Sequence, residues 1–164
     1  MLRLISAITA DGATHTNSTD EAVLASYSFP ANSWQAGKVY KFDAAVECPS
    51  THGADTLTLR VRIGDTTLTG TAMFTSNATD VADGDIAVIS GTLVVRDADS
   101  SSTVAYMIAG SDSDAASEVM GAHAGTVASL DATAPILLEV TGDWSAANVA
   151  NQVNALSFNV YEIV

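Results

Sequence analysis

Apolar and polar residues alternate most strictly between Asp55 and Gly70, where Leu57, Leu59, Val61 and Ile63 are interleaved with Thr56, Thr58, Arg60 and Arg62. Successive strand residues point to opposite faces, so this stretch predicts a half-buried β-strand. Gly64 and Asp65 read as a two-residue hairpin loop, with Gly supplying the positive φ of a tight turn, and Thr66 to Thr69 as its antiparallel return. Met73 and Phe74 continue the second arm. The same period recurs from Val39 to Cys48, with Tyr40, Phe42, Ala44, Val46 and Cys48 on one face, and Pro49 to Ala54 turning the chain onward. Leu2, Leu4 and Ile8 mark an N-terminal strand. Val23, Ala25, Tyr27 and Phe29 share a face of the next, which Pro30 ends because it has no N–H to donate.

In the second half, Ile86 to Arg96 reads as a long strand with Ala87, Ile89, Leu93 and Val95 inward and Gly91 at a bulge. A turn at 97–102 returns it through Val104, Tyr106 and Ile108, a second hairpin. From Gly110 to Ala134 small residues dominate and neither period is strong. Asp112 or Ser113 would cap a short helix running to Met120, and an extra strand is expected near Met120 to Ser129 because so long a structureless loop is unusual in a compact domain. Its small side chains would allow another sheet or subunit to approach closely. Ile136, Leu138 and Val140 define a further strand, followed by a loop holding Trp144. Leu156, Phe158 and Val160 alternate in the last, with Tyr161 and Ile163 on the Ser157 side. About eight to ten short strands, frequent turns and no clear helix predict an all-β antiparallel sandwich, with the jelly roll the first choice. The 164 residues read as a single domain, with 1–20 as an N-terminal strand or arm and loop.

The formal net charge is −13, and the six basic residues, Arg3, Lys38, Lys41, Arg60, Arg62 and Arg96, are scattered. Phosphate backbones demand clustered Lys and Arg, so direct nucleic-acid binding is not expected. No run of some 18 apolar residues occurs, so no membrane-spanning helix is expected. The N-terminus is a poor imitation of a secretory signal, and a chain not exported by that route is expected. Cys48 is the lone cysteine, which rules out an intrachain disulfide.

Candidate chemistry is sparse. Asp80, Asp83 and Asp85 are weak candidates for calcium, since hard cations take several oxygens from one loop, but they lack the full EF-hand spacing, and a solvated turn cornered at Asp83-Gly84 is the plainer reading. His15, His52 and His123 have no ligand spacing. No nucleophile elbow or phosphate-cradling loop is present, and carboxylate pairs such as Glu47 with Glu139 are unspecific. No catalytic residue, metal or cofactor is therefore assigned, and no enzyme is expected. The candidate binding or interface residues are Trp34 and Trp144, which if exposed would stack on sugars or anchor an interface and otherwise cap the core; Arg60 and Arg62, which share a face and need acceptors; and Leu2 and Leu4 of the N-terminal strand.

Four stretches, LASYSFPANSWQAGKVYKFDAAVE, ADTLTLRVRIGDTTLTG, DGDIAVISGTLVVRD and LLEVTGDWSAANVANQVNALSFNVYEIV, together resemble a recurrent β-sandwich module of tailed-bacteriophage virion proteins, from about Glu21 to the C-terminus. The resemblance implies a head decoration or cement protein, a head fibre or a tail-fibre domain, frequently a homotrimer, and brings no catalytic residues. A chain that is nearly all module favours decoration of the outer surface of the head, with the major capsid protein as partner. The alternative is a receptor- or carbohydrate-binding module of a tail fibre or spike. Exchange of the arm Met1 to Ile8 onto a neighbour's sheet edge is a further expectation.

Overall fold

The computed structural model describes residues 1–8, 12, 14–112 and 119–164. The strands in chain order are β1 (Leu2–Ile8), β2 (His15–Thr16), β3 (Ala22–Phe29), β4 (Val39–Ser50), β5 (Thr56–Gly64), β6 (Thr71–Thr75), β7 (Thr79–Asp80), β8 (Asp85–Val95), β9 (Ser102–Asp112), β10 (Val119–Leu130), β11 (Ile136–Trp144) and β12 (Gln152–Ile163). They form two antiparallel sheets packed as a jelly-roll-like sandwich. The larger has the order β1-β12-β4-β8-β9-β10, with β2 also pairing β12; the smaller has the order β3-β11-β5-β6, with β7 also pairing β5. The short helix expected before Met120 falls largely on residues 113–118, outside the described residues, whereas the expected extra strand is β10.

The period-two stretches build the core as expected. Tyr40, Phe42, Ala44, Val46 and Cys48 of β4 are all buried, facing Leu57, Leu59, Val61 and Ile63 of β5 and Leu138 and Val140 of β11. Full burial of such side chains contributes about 2 kcal/mol each. Burial also pushes the Cys48 thiol up to about 12, so it stays protonated and packs as a small apolar group.

Bulges decide which side chains face inward wherever simple alternation fails. In β3 the register against β11 slips between Ala25 and Val23, so Leu24 and Ala25 are both buried and Val23 leaves the inner face. β6 slips the same way against β5, burying Met73 and Phe74 together. In β12 the extra residue is Leu156, and Val153 and Ala155 fill the inner face before it in place of Leu156. β4 runs on through Pro49, which sits at a slip against β12 where a missing N–H costs no ladder bond.

Three turn and glycine expectations are corrected. The central hairpin loop is not Gly64-Asp65: β5 pairs out to Ile63↔Thr71, so 65–70 is a six-residue connection with Leu68 at φ 62. Gly64 serves close backbone approach, since a Cβ there would lie 2.6 Å from the Gly70 Cα. Gly91 is not a bulge, because β8 stays in register with β4 and β9 on both sides of it. It faces inward, and a Cβ would lie 2.5 Å from Cζ of Phe42 and 2.9 Å from Cγ1 of Ile108. Trp144 belongs to β11, not to the loop after it.

Gly91→Ala should therefore destabilise the fold by about 1–3 kcal/mol through overpacking, read from urea unfolding. The penalty should shrink in a Phe42→Leu background, where the ring that the new methyl meets is gone. An equal penalty in both backgrounds would contradict this account.

Candidate functional site

The larger sheet commits one face to the core and leaves the other to the outside, and the registers place each outward residue. One row across the sheet reads Leu4, Tyr161, Lys41, Thr92, Met107, Ala124, and the next reads Ala7, Asn159, Asp43, Ser90, Ala109, Ala122. Flanking them lie a row through Leu2, Ile163, Val39, Val94 and Ala105 and one through Ser157, Ala45, Val88 and Ser111. Among the described strand residues the charged positions on this face are Lys41, Asp43 and Glu47, in a chain of net charge −13. Met107 is 65% exposed, Leu2 54%, Leu4 53% and Val88 45%.

The face is hollowed into a groove of about 540 Å³, lined by Leu2, Lys41, Ser90, Met107, Ala122 and Tyr161 among others. A second hollow of about 270 Å³, walled by Val94 and Ala105, adjoins it beside Met107. At the centre the Asn159 side-chain amide donates to Asp43 at 2.7 Å. Tyr161 also hydrogen-bonds Asp43, and its phenol is raised by desolvation first and by the Asp43 charge second. Among the described residues Lys41 forms no ion pair, while Arg3, Lys38, Arg60 and Arg62 all do.

Of the binding or interface candidates read from the sequence, Leu2 and Leu4 lie on this face, and Trp34, Trp144, Arg60 and Arg62 do not. Arg60 and Arg62 project from the outer face of the smaller sheet, where intrachain carboxylates take them up. Arg62 grips Glu21 with two bonds, Nε to Oε1 at 2.7 Å and Nη2 to Oε2 at 2.8 Å, and Nη1 donates to the Gly70 carbonyl at 2.9 Å. Arg60 pairs with Asp143 and stands 3.8 Å from Glu21, whose Oε1 also accepts the Thr141 hydroxyl. Beside them the buried Glu139 accepts the Leu68 N–H at 2.9 Å, tying down the 65–70 connection.

Trp34 and Trp144 are buried at 3% and 1% exposure, so neither indole offers a stacking platform. Trp34 packs on Phe29 and Tyr40 at one end of the core. Glu47 and Glu139 sit on opposite outer faces of the sandwich, which removes them as a hydrolytic pair. In the acidic turn, Asp83 accepts the Thr51 N–H at 2.7 Å and Asp85 the Ala82 N–H at 2.6 Å, so these two carboxylates hold backbone, with the chain turning at Gly84, φ 84. No group of three or more His, Cys, Asp or Glu that would hold a metal is found among the described residues. Sequence reasoning missed Lys41, Asp43, Met107 and Tyr161 as members of one surface. The available signal was the run of Ala, Ser and Thr at outward positions of β8 to β10, where a solvated sheet carries charge.

No protein-family model matches the chain, and no curated protein matches its sequence. Solved structures similar to it include lectin UEA-II complexed with galactose, at 10% identity and a TM-score of 0.37 over 100% of this chain and 92% of that one. Others are the CBM2 module of the evolved Dit of Lactobacillus casei BL23 phage J-1, at 10% identity and 0.30 over 83% and 67%, and infectious bursal disease virus Gx strain, at 15% and 0.32 over 100% and 42%. At these scores none of them bears on what the chain does.

The Arg62 fork holds the Glu21 carboxyl below its ordinary value of 4.5. A carboxylate whose pKa is lower in the folded state contributes stability above its unfolded pKa and loses it as pH falls through the folded one. Glu21→Gln should therefore flatten the fall in stability below about pH 4.5, measured by urea unfolding across pH. Glu162, held low chiefly by Lys38, should keep part of that slope. Arg62→Ala should cost about 2 kcal/mol at neutral pH by stranding Glu21 half-buried; an unchanged midpoint would show the fork to be inert.

Proposed function

We propose that the chain is a non-catalytic structural protein of a bacteriophage virion that decorates the outer surface of the assembled head, binding the major capsid protein and other copies of itself. The observation that carries the assembly role is the outer face of the larger sheet, where exposed Leu2, Leu4, Val88 and Met107 stand among small and neutral residues. Exposed apolar side chains grouped on one face mark interaction sites, and depletion of charge is the compositional mark of interface cores. The virion setting rests on the resemblance of the sequence to phage sandwich modules. Binding only to assembled heads would shift that state's stability by mass action.

A second reading is favoured by one observation, the polar pair of Tyr161 and Asp43 in the groove, with Asn159 bonded to Asp43 beside it. An aromatic ring beside paired amide and carboxylate groups is also the equipment for a sugar ring. In that reading the tail-fibre or spike alternative takes its ligand here and not at a tryptophan.

The test is add-back. Heads that lack the chain should bind it, and bound heads should release their genome at a higher temperature than bare ones, with Leu4→Asp reducing binding at least about tenfold. Heads of equal heat resistance with and without it would sink the decoration role. A selective glycan-array signal abolished by Tyr161→Ala would replace it with the second reading.

A further inference from the structure

We infer that the outer face of the larger sheet is complementary to itself, and that two copies of the chain pack it face to face about a twofold axis lying between the sheets, perpendicular to β4, and crossing it between Lys41 and Asp43. This rests on the reading of that face as a protein-contact surface and names its partner.

Shape is the first argument. A line drawn across the sheet between Lys41 and Asp43 divides the face into unlike halves. On one side stand Leu4, Tyr161, Met107, Val39, Val94 and Ile163; the facing side carries Ala7, Ser90, Ala109, Ala122 and Ala45, with the larger Asn159 and Val88 among them. A twofold axis along that line keeps each strand over its own counterpart and reverses its direction. Bulky residues then meet small ones at most positions, with Met107 over the partner's Ala109, Leu4 over the partner's Ala7 and Val39 over the partner's Ala45, while Val94 meets the partner's Val88. Met107 would enter the hollow of about 540 Å³ that the small side chains leave. An axis running along β4 would instead set Met107 and Lys41 at the level of their own images and leave the hollow unfilled. The usual offset of about 30° between aligned sheets rotates the outer pairs and leaves those beside the axis in place.

Charge is the second argument. The axis sets each Lys41, which has no ion pair among the described residues, over the partner's Asp43, giving two equivalent pairs from one contact. A chain of net charge −13 repels its own copies, and this face adds little to that repulsion, with one positive and two negative positions among its described strand residues.

Area is the third. Six strands about 4.8 Å apart, each offering three or four outward residues about 6.8 Å apart, present about 650 Å² per copy and about 1,300 Å² in all, within the range of specific stable interfaces. The arrangement is an isologous dimer, in contrast to the trimer implied by the sequence resemblance.

The test is native mass by sedimentation velocity with charge-swapped variants. The wild-type chain should run at twice its monomer mass. Lys41→Asp and Asp43→Lys should each weaken association at least about tenfold by setting like charges opposite one another. The double variant, Lys41→Asp with Asp43→Lys, should restore it. Met107→Asp, at an exposed position outside the core, should give a folded monomer by circular dichroism. A monomer or a trimer in the wild type, or a dimer that none of these variants weakens, would overturn the pairing, as would failure of the double swap to recover what both single variants lose. Head binding separates the two claims: a monomeric wild type whose binding to heads is lost with Met107→Asp would keep the face as a protein-contact surface while removing the twofold pair. An intact dimer that ignores heads would remove the decoration role alone.

Discussion

A strand side chain belongs to one side of its sheet or the other, and burying two apolar faces against each other is the constraint on which the rest of this structure depends. β4 pairs with β8 and β12 in the centre of the larger sheet, and β11 lies between β3 and β5 in the smaller, so their inner residues are fixed from both sides. The tightest point is Phe42, whose ring occupies the place a side chain at position 91 would need and lies 6.4 Å from the ring of Phe158. Once the inner faces are committed, which positions lie on the two outer faces follows from the registers.

Those outer faces are finished in different ways. On the smaller sheet, Arg60, Arg62, Glu21, Asp143 and Thr141 satisfy one another, and Glu139 and Arg62 hold the 65–70 connection over them through Leu68 and Gly70. Half-buried charges left single would cost several kcal/mol, so this closed network needs no external partner. On the larger sheet the outward positions of β8, β9 and β10 are mostly Ser, Thr, Val, Ala and Met, and beside them Lys41 of β4 forms no ion pair among the described residues. One face completes itself within the chain, and the other offers apolar area, a hollow and an unspent charge.

Much of this was legible from the order of residues, because period two is a local property. The strands around Leu57 to Ile63 and Tyr40 to Cys48 follow directly from it. The misassignments share a physical cause. A bulge adds one residue and flips the face of everything beyond it, and nothing within β3, β6 or β12 announces where it falls, which is why Leu24, Met73 and Leu156 sit where alternation does not put them. Gly64 and Gly91 were readable as glycines needed for some backbone reason, but the reason is a contact with Gly70 in one case and with Phe42 in the other, both set by pairing. The groove was the least legible feature. Lys41, Met107, Ala122 and Tyr161 come from four strands, and only the register brings them onto one surface.

The acidity of the chain bears on what that surface is for. Screened by salt over about 8 Å, charge elsewhere on the molecule acts mainly at its own location, so a contact is governed by the charges within its own footprint. Among the described residues within the footprint of the larger sheet's outer face the balance is Lys41 against Asp43 and Glu47, and Asp43 already spends part of its hydrogen-bonding capacity on Asn159 and Tyr161. The acidic surplus keeps the other surfaces apart while this one remains nearly neutral. An acidic body with one neutral, apolar face discriminates among partners by exclusion, since basic surfaces would be drawn to the rest of the molecule and acidic ones held away from it. What fits the face itself is a surface of the same description, neutral and apolar with one lysine and its carboxylates near the middle.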